Sequence, residues 1–244
     1  MESKYNKNSL AVIIPMYNEE IVAAKCIDEV QKVLKKIKQK TILIVINDGS
    51  TDATEKIVLE KEKRYRKRLV VVTYKKNKGY GGASEEGIKK AIKLDYEWCL
   101  HMDSDLTNDP KFIPQFIKAI IPDVDCIKAS RYIQNGKVIN VPFFRRFISF
   151  VGNYAASFLF NIGIKDCTNG FRMVRLEKLK GIHFKENNFS IILEELYYLK
   201  KRHAHFKEIP NVLTARTNSL SHFTYKPKIF FDYFKYVIKS ALLF

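Results

Sequence analysis

Short apolar runs alternate with amphipathic stretches along most of this chain, and that alternation predicts its architecture. Residues 10–14, 42–46 and 69–73 are apolar runs without helical spacing, residues 98–105 form another that stops on two carboxylates, and residues 124–129 read as a fifth strand. Runs this short and this continuously apolar read as strands buried on both faces, as in a parallel sheet. Between the first two lies an amphipathic helix, with Ile27, Val30, Val33, Leu34 and Ile37 on one face and a lysine-rich end over residues 35–40. Further helices are predicted from the glycine-rich stretch at 77–83 to about Leu94, over 110–121, and over 190–202. The second half changes character: residues 143–162 are apolar and aromatic, and a polar loop at 166–172 precedes a further strand. Residues 209–215 read as extended, and the tail from 226 to 244 interleaves lysines with aromatic residues. The expectation is an α/β fold with a mostly parallel central sheet covered by helices, plus a C-terminal amphipathic helix.

Composition narrows this little except through charge. At 244 residues the chain fits one α/β domain with a sizeable core. Its formal net charge of +17 favours anionic partners: phosphorylated ligands, an anionic membrane surface or nucleic acid. Cys26, Cys99, Cys126 and Cys167 show no metal-ligand spacing, so buried, reduced thiols in a cytoplasmic protein are expected. The polar start over residues 1–8 is not a secretory signal, and no uninterrupted apolar run reaches the 18 residues of a membrane span.

Every polar cluster of the first half follows a strand, which gathers them at one edge of the sheet. Pro15-Met16-Tyr17-Asn18-Glu19-Glu20 follows the first strand, and Asn47-Asp48-Gly49-Ser50-Thr51-Asp52 follows the second with N-cap oxygens for a helix. Asn77-Lys78-Gly79-Tyr80-Gly81-Gly82-Ala83 is neither a dinucleotide fingerprint nor a Walker loop; its glycines suit a close backbone approach to a ligand or strand. Asp103 and Asp105, two apart at a strand end, would share one face if the chain were extended. They offer the hard oxygens that Mg²⁺ or Mn²⁺ prefers.

These motifs, in this order, resemble the family 2 glycosyltransferases of the GT-A fold. Ser130-Arg131-Tyr132, Arg145-Arg146 with Ser149 and Asn153, residues 166–172, and Arg216 through Ser221 are similar to the dolichyl-phosphate mannose synthase branch, whose relatives place sugars on polyprenyl phosphates. The resemblance spans about residues 10–225. It implies a GT-A domain over 1–225 and, beyond it, a basic helix over 226–244. For the residues, it implies that Pro15, Tyr17, Glu19 and Asp48 hold the nucleotide, and that Asp103 and Asp105 bind the metal and donor diphosphate. Arg131, Arg145 and Ser149 would hold the acceptor phosphate, and Arg216 would contact the diphosphate as its loop closes. The implied reaction is inverting transfer of a mannose- or glucose-type hexose from GDP-mannose or a UDP-hexose to a polyprenyl phosphate. It would take place at the cytoplasmic face of a membrane, with Mg²⁺ or Mn²⁺ as cofactor and room for a membrane-protein partner.

The alternative within the family is transfer to a sugar hydroxyl, which calls for a carboxylate base. Glu194 and Glu195 are the candidates, unless they form a solvated helix face. The tail can lie in a membrane interface or pack on the core, and the charge favours the interface. Departures from the family pattern fall at Asn47, Thr107, Asn218-Ser219 and His222. They bear on donor sugar and base rather than reaction class. A phosphatase of the Asp-x-Asp-x-Thr type leaves the first two strand-end motifs unexplained. A calcium loop fails at Asn108, and no recognised nucleic-acid motif is present.

Overall fold

The computed structural model describes residues 8–139, 141–214 and 227–243. Its centre is a seven-stranded sheet in the order β3-β2-β1-β4-β7-β5-β8. The strands are β1 (Leu10–Met16), β2 (Thr41–Asp48), β3 (Leu69–Tyr74), β4 (Trp98–His101), β5 (Cys126–Ser130), β7 (Arg172–Arg175) and β8 (Phe206–Pro210). Successive residues of β1 explain its unbroken apolar run. Leu10, Val12, Ile14 and Met16 join the core on one face, while Ala11 and Ile13 join the core on the other. Helices α1 (Ala23–Leu34), α2 (Thr54–Tyr65) and α4 (Ile113–Lys118) contribute to the first core, and α3 (Gly79–Lys93) to the second. All four cysteines are buried and unpaired by disulfides.

One strand departs from the parallel pattern. β7 runs antiparallel to both neighbours, pairing His101 with Arg172 on one side and Lys128 with Arg172 on the other. Reversal puts the start of β7 at the carboxyl ends of β4 and β5. The loop over 166–171 is thereby delivered to the edge where the other strand-end motifs gather.

The remaining elements build a third core beside that edge. α5 (Phe143–Phe160), α6 (Ile191–Lys201) and α7 (Pro227–Ala241) bury Ala156, Phe160, Leu193, Leu196, Tyr236 and Val237 together. A small parallel ladder, β6 (Lys137–Ile139) with β9 (Val212–Thr214), lies at its margin. α7 therefore packs through one face: Tyr236 Oη donates to Glu186 (3.0 Å) and Lys200 Nζ to the carbonyl of Ser240 (2.8 Å). Its other face leaves Phe234 and Ile238 exposed, and Leu242 just past its end is exposed as well.

Candidate active site

The loops after β1 and β2 are stitched to each other. Asn18, in the left-handed region at φ 52°, donates its N–H to Ser50 Oγ (3.0 Å) and accepts from the Thr51 N–H (2.8 Å). The Glu19 N–H donates to Thr54 Oγ1 (2.8 Å), and the buried Glu19 carboxylate accepts from Ser104 Oγ (3.0 Å). Glu19 thus ties the first strand end to the middle of the acidic turn. Asp48 is buried, and its carboxylate accepts the Lys78 N–H at the start of α3 (2.8 Å). Burial pushes its pKa up, against the opposing pull of the Lys78 and Gly79 amides. Pro15 ends the apolar run inside β1, and the Tyr17 ring is partly exposed beside these loops.

Asp103 and Asp105 reach the site by a different route from the extended strand expected. β4 ends at His101, so strand alternation does not align them. A turn does. The Thr107 N–H and Oγ1 both donate to Asp105 Oδ1 (3.0 and 2.8 Å), and Leu106 between them sits at φ 58°. An apolar residue in the left-handed region costs on the order of 1–3 kcal/mol, and such strain concentrates at functional sites. Both aspartates line a cavity of about 500 Å³ together with Arg131, Asn153, Thr168 and Gly170. Among the described residues no group of three or more His, Cys, Asp or Glu side chains is placed to hold a metal. The chain's own contribution is a pair of hard carboxylates, which suits a cation that also takes substrate phosphate oxygens and water.

Three cations hold the 166–171 loop against this cavity. Arg131 grips Asp166 with Nε and Nη2 (2.7 Å each), and Nη2 also reaches Thr168 Oγ1 (3.0 Å). Burial alone would raise the Asp166 pKa, but the Arg131 guanidinium outweighs it and holds the carboxyl below its usual range. Lys128 Nζ, fully buried, donates to the carbonyls of Cys167 (3.2 Å) and Asn169 (2.8 Å). Arg172 Nη1 donates to the carbonyl of Gly170 (2.8 Å). On the α5 side Ser149 shares a hydrogen bond with Tyr132 Oη (2.9 Å), and the Asn153 amide bridges the Ser149 carbonyl and Thr168 Oγ1 (2.8 and 2.9 Å). Lys128 carries weight that sequence reading did not give it, and Asn153, named there only as part of a motif, gains a definite set of partners. A lone lysine inside an apolar strand was the available signal for the first.

Glu194 and Glu195 do not form a solvated face: both are fully buried and bonded within the chain. Glu195 is buried and pairs with the buried Arg172 through both oxygens (2.5 Å to Nε, 3.0 Å to Nη2). Glu194 accepts the backbone N–H groups of Lys185 (2.9 and 3.0 Å) and Glu186 (2.9 Å). The reversed strand β7 explains the first: it buries a guanidinium in the middle of the sheet, and that charge needs a partner. The glycine-rich stretch likewise serves chain packing. The Gly81 N–H donates to the Asn187 carbonyl (3.0 Å), and a Cβ on Gly81 would stand 1.9 Å from the Glu186 carbonyl oxygen. Arg145 lies in α5 with its side chain outside the described residues, and Arg216 also lies outside them.

A mostly parallel sheet with one reversed strand, carrying a paired-acid turn at its carboxyl edge, is the architecture of the GT-A glycosyltransferases. Solved structures of glucosyl-3-phosphoglycerate synthase from Mycobacterium tuberculosis share this fold. One, in complex with Mn²⁺, UDP and glucosyl-3-phosphoglycerate, superposes with a TM-score of 0.65 at 17% identity, covering 88% of this chain and 74% of that one. Another, in complex with Mg²⁺ and UDP, gives a TM-score of 0.62 at 15% identity, covering 88% and 73%. The chain belongs to glycosyl transferase family 2, whose family model matches residues 11–182. It is 30% identical to the dolichol-phosphate mannosyltransferase of Pyrococcus furiosus over 234 residues, or 94% of this chain and 63% of that protein. The chain thus spans less than two thirds of that relative's length. It is 28% identical over 211 residues to an uncharacterized protein of Methanocaldococcus jannaschii, covering 85% and 82%.

Proposed function

We propose that this glycosyltransferase moves a hexose from a nucleotide diphosphate sugar to the phosphate of a polyprenyl phosphate. The observation that carries the reading is the cavity's mixed lining, charged and apolar. Asp103, Asp105, Thr107 and Arg131 line it together with Ile148, Ala156, Leu193 and Val237, and the last three belong to the apolar core that α5, α6 and α7 build. A phosphoryl head with an apolar tail matches both parts of that lining, whereas a water-soluble glycan would leave the apolar part unmatched. The Pyrococcus relative carries the same acceptor class in its name.

In this reading Pro15, Tyr17, Glu19 and Asp48 receive the nucleoside, and Asp103 and Asp105 hold Mg²⁺ or Mn²⁺. The cation, when bound, supplies Lewis-acid neutralisation of the charge that grows on the departing nucleoside diphosphate. Arg131, Arg145 and Ser149 take the acceptor phosphate, and Arg216 the donor diphosphate. Asp166 fixes the Arg131 fork from one side, and among the described residues Nη1 remains for a second anion. A phosphate monoester is already ionised at neutral pH, so the attacking oxygen needs no carboxylate base. The structural employment of Glu194 and Glu195 agrees with that chemistry. The test is transfer of labelled sugar into an organic-extractable product that depends on Arg131.

The same reading places the enzyme peripherally at the cytoplasmic surface of a membrane. Among the described residues no helix is long and apolar enough to cross one. α5 nevertheless presents Phe143 (81% exposed), Phe147, Phe150, Tyr154 and Phe158 (76% exposed) at helical spacing, and α7 exposes Phe234 and Ile238. Apolar surface of this extent on a chain of formal net charge +17 favours an anionic interface. Flotation with anionic vesicles should recover the protein, and Phe143→Ser with Phe158→Ser should weaken binding at least tenfold, since each buried phenylalanine is worth about 1.5–3 kcal/mol. Equal flotation of the double variant would remove this face from the account.

A further inference from the structure

Tyr80 opens α3, and its environment is unusual for a packing residue. The ring stacks on Phe189, with centroids 4.4 Å apart and planes at 25°. The first turn of α3 is pinned by the Gly81 N–H bond to Asn187, so the ring has a fixed platform beneath it. Its hydroxyl is fully buried and has no hydrogen-bond partner among the described residues. Leaving such a group unsatisfied costs about 1–3 kcal/mol, and native proteins rarely keep one without use.

The acidic turn lies on the far side of a small gap. A Cβ built on Gly170 would stand 3.3 Å from Tyr80 Oη and 3.6 and 3.7 Å from the two carboxylate oxygens of Asp103. The hydroxyl and the carboxylate therefore face the same spot, which the absent side chain of residue 170 leaves open. Gly170 is held there by the Arg172 bond to its carbonyl, and Arg172 is held by Glu195. A phenol keeps its proton at neutral pH, so the group can donate.

We propose that Tyr80 is a positioning residue for the metal-binding carboxylate: its hydroxyl donates to Asp103 when Asp103 holds a divalent cation. The proposal rests on the reading that Asp103 and Asp105 bind that cation. A ligating carboxylate uses one oxygen on the metal, and a donor on the other fixes its orientation. A neutral phenol does this without cancelling the charge that attracts the cation, which a lysine or arginine there would do. Gly170 and the Arg172–Glu195 pair keep the gap open and in register.

Tyr80→Phe removes the hydroxyl and keeps the ring stack. Titration with Mn²⁺ alone, followed by loss of the free-ion electron paramagnetic resonance signal, should show 10- to 100-fold weaker binding in Tyr80→Phe than in wild type, the range found for such supporting groups. The melting temperature without metal should stay equal or rise, because an unsatisfied buried hydroxyl has been removed, while the stabilisation gained on adding Mn²⁺ shrinks. Gly170→Ala, which puts a methyl group into the gap, should weaken Mn²⁺ similarly. Wild-type Mn²⁺ affinity in Tyr80→Phe would overturn the role of Tyr80 and leave the metal site standing. Failure of wild type and Asp105→Asn alike to bind Mn²⁺ would overturn the metal reading itself, and this proposal with it.

Discussion

Asp105→Asn is expected to lower sugar transfer roughly 10³-fold, about 4 kcal/mol of transition-state stabilisation, with the melting temperature little changed. The asparagine amide keeps a carbonyl oxygen where Asp105 Oδ1 accepts from the Thr107 N–H and hydroxyl, so the turn through Leu106 survives. What disappears is one of the two formal charges offered to a divalent cation. The donor's diphosphate cannot replace it, because two anionic groups without a shared cation repel. Steady-state rates across a series of Mg²⁺ and Mn²⁺ concentrations measure the effect, and higher metal should restore part of the loss. Full activity in the variant would show that this turn is not where the donor's charge is managed.

The second large effect is on stability. Arg172→Met should cost about 3–5 kcal/mol, because it leaves Glu195 charged and buried without its guanidinium. The neighbouring His101 is a poor substitute: it stands 3.6 Å from Glu195, but burial, which the substitution does not relieve, is the main cause holding its pKa well below the ordinary value. Removing both partners, Arg172→Met with Glu195→Leu, should recover a large part of the loss, since replacing a buried pair by apolar groups is often near neutral. Urea unfolding of the four proteins gives the coupling, expected to exceed about 2 kcal/mol. Additive losses would mean that the two residues are stabilised independently.

Much of this site could be read from local pattern. β1, β2 and β4 are buried on both faces, so their apolar runs are continuous and end where polar motifs begin. The glycines at 79 and 81 correctly signalled close backbone approach, although the neighbour is the 186–187 backbone rather than a ligand. The direction of β7 was not legible, because Arg172–Arg175 carries no local mark of whether its partners run parallel or antiparallel. That one reversal brings the 166–171 loop to the acids and buries Arg172. Glu195 was misjudged for the same reason: a glutamate on a helix declares a counter-charge only once the buried guanidinium is known. The aromatic content of α5 was plain in sequence, but its exposure depends on which face α6 and α7 cover.

The central claim is that the acceptor is a lipid phosphate. Incubation with labelled GDP-mannose or UDP-glucose, Mg²⁺ or Mn²⁺, a short polyprenyl phosphate and a panel of soluble glycans measures it directly, through partition of the label between solvents. The account predicts label in the organic phase with at least one donor, lost in Arg131→Ala and when the polyprenyl phosphate is replaced by the corresponding alcohol. Label confined to water-soluble glycans would contradict it and assign the chain to transfer onto sugar hydroxyls.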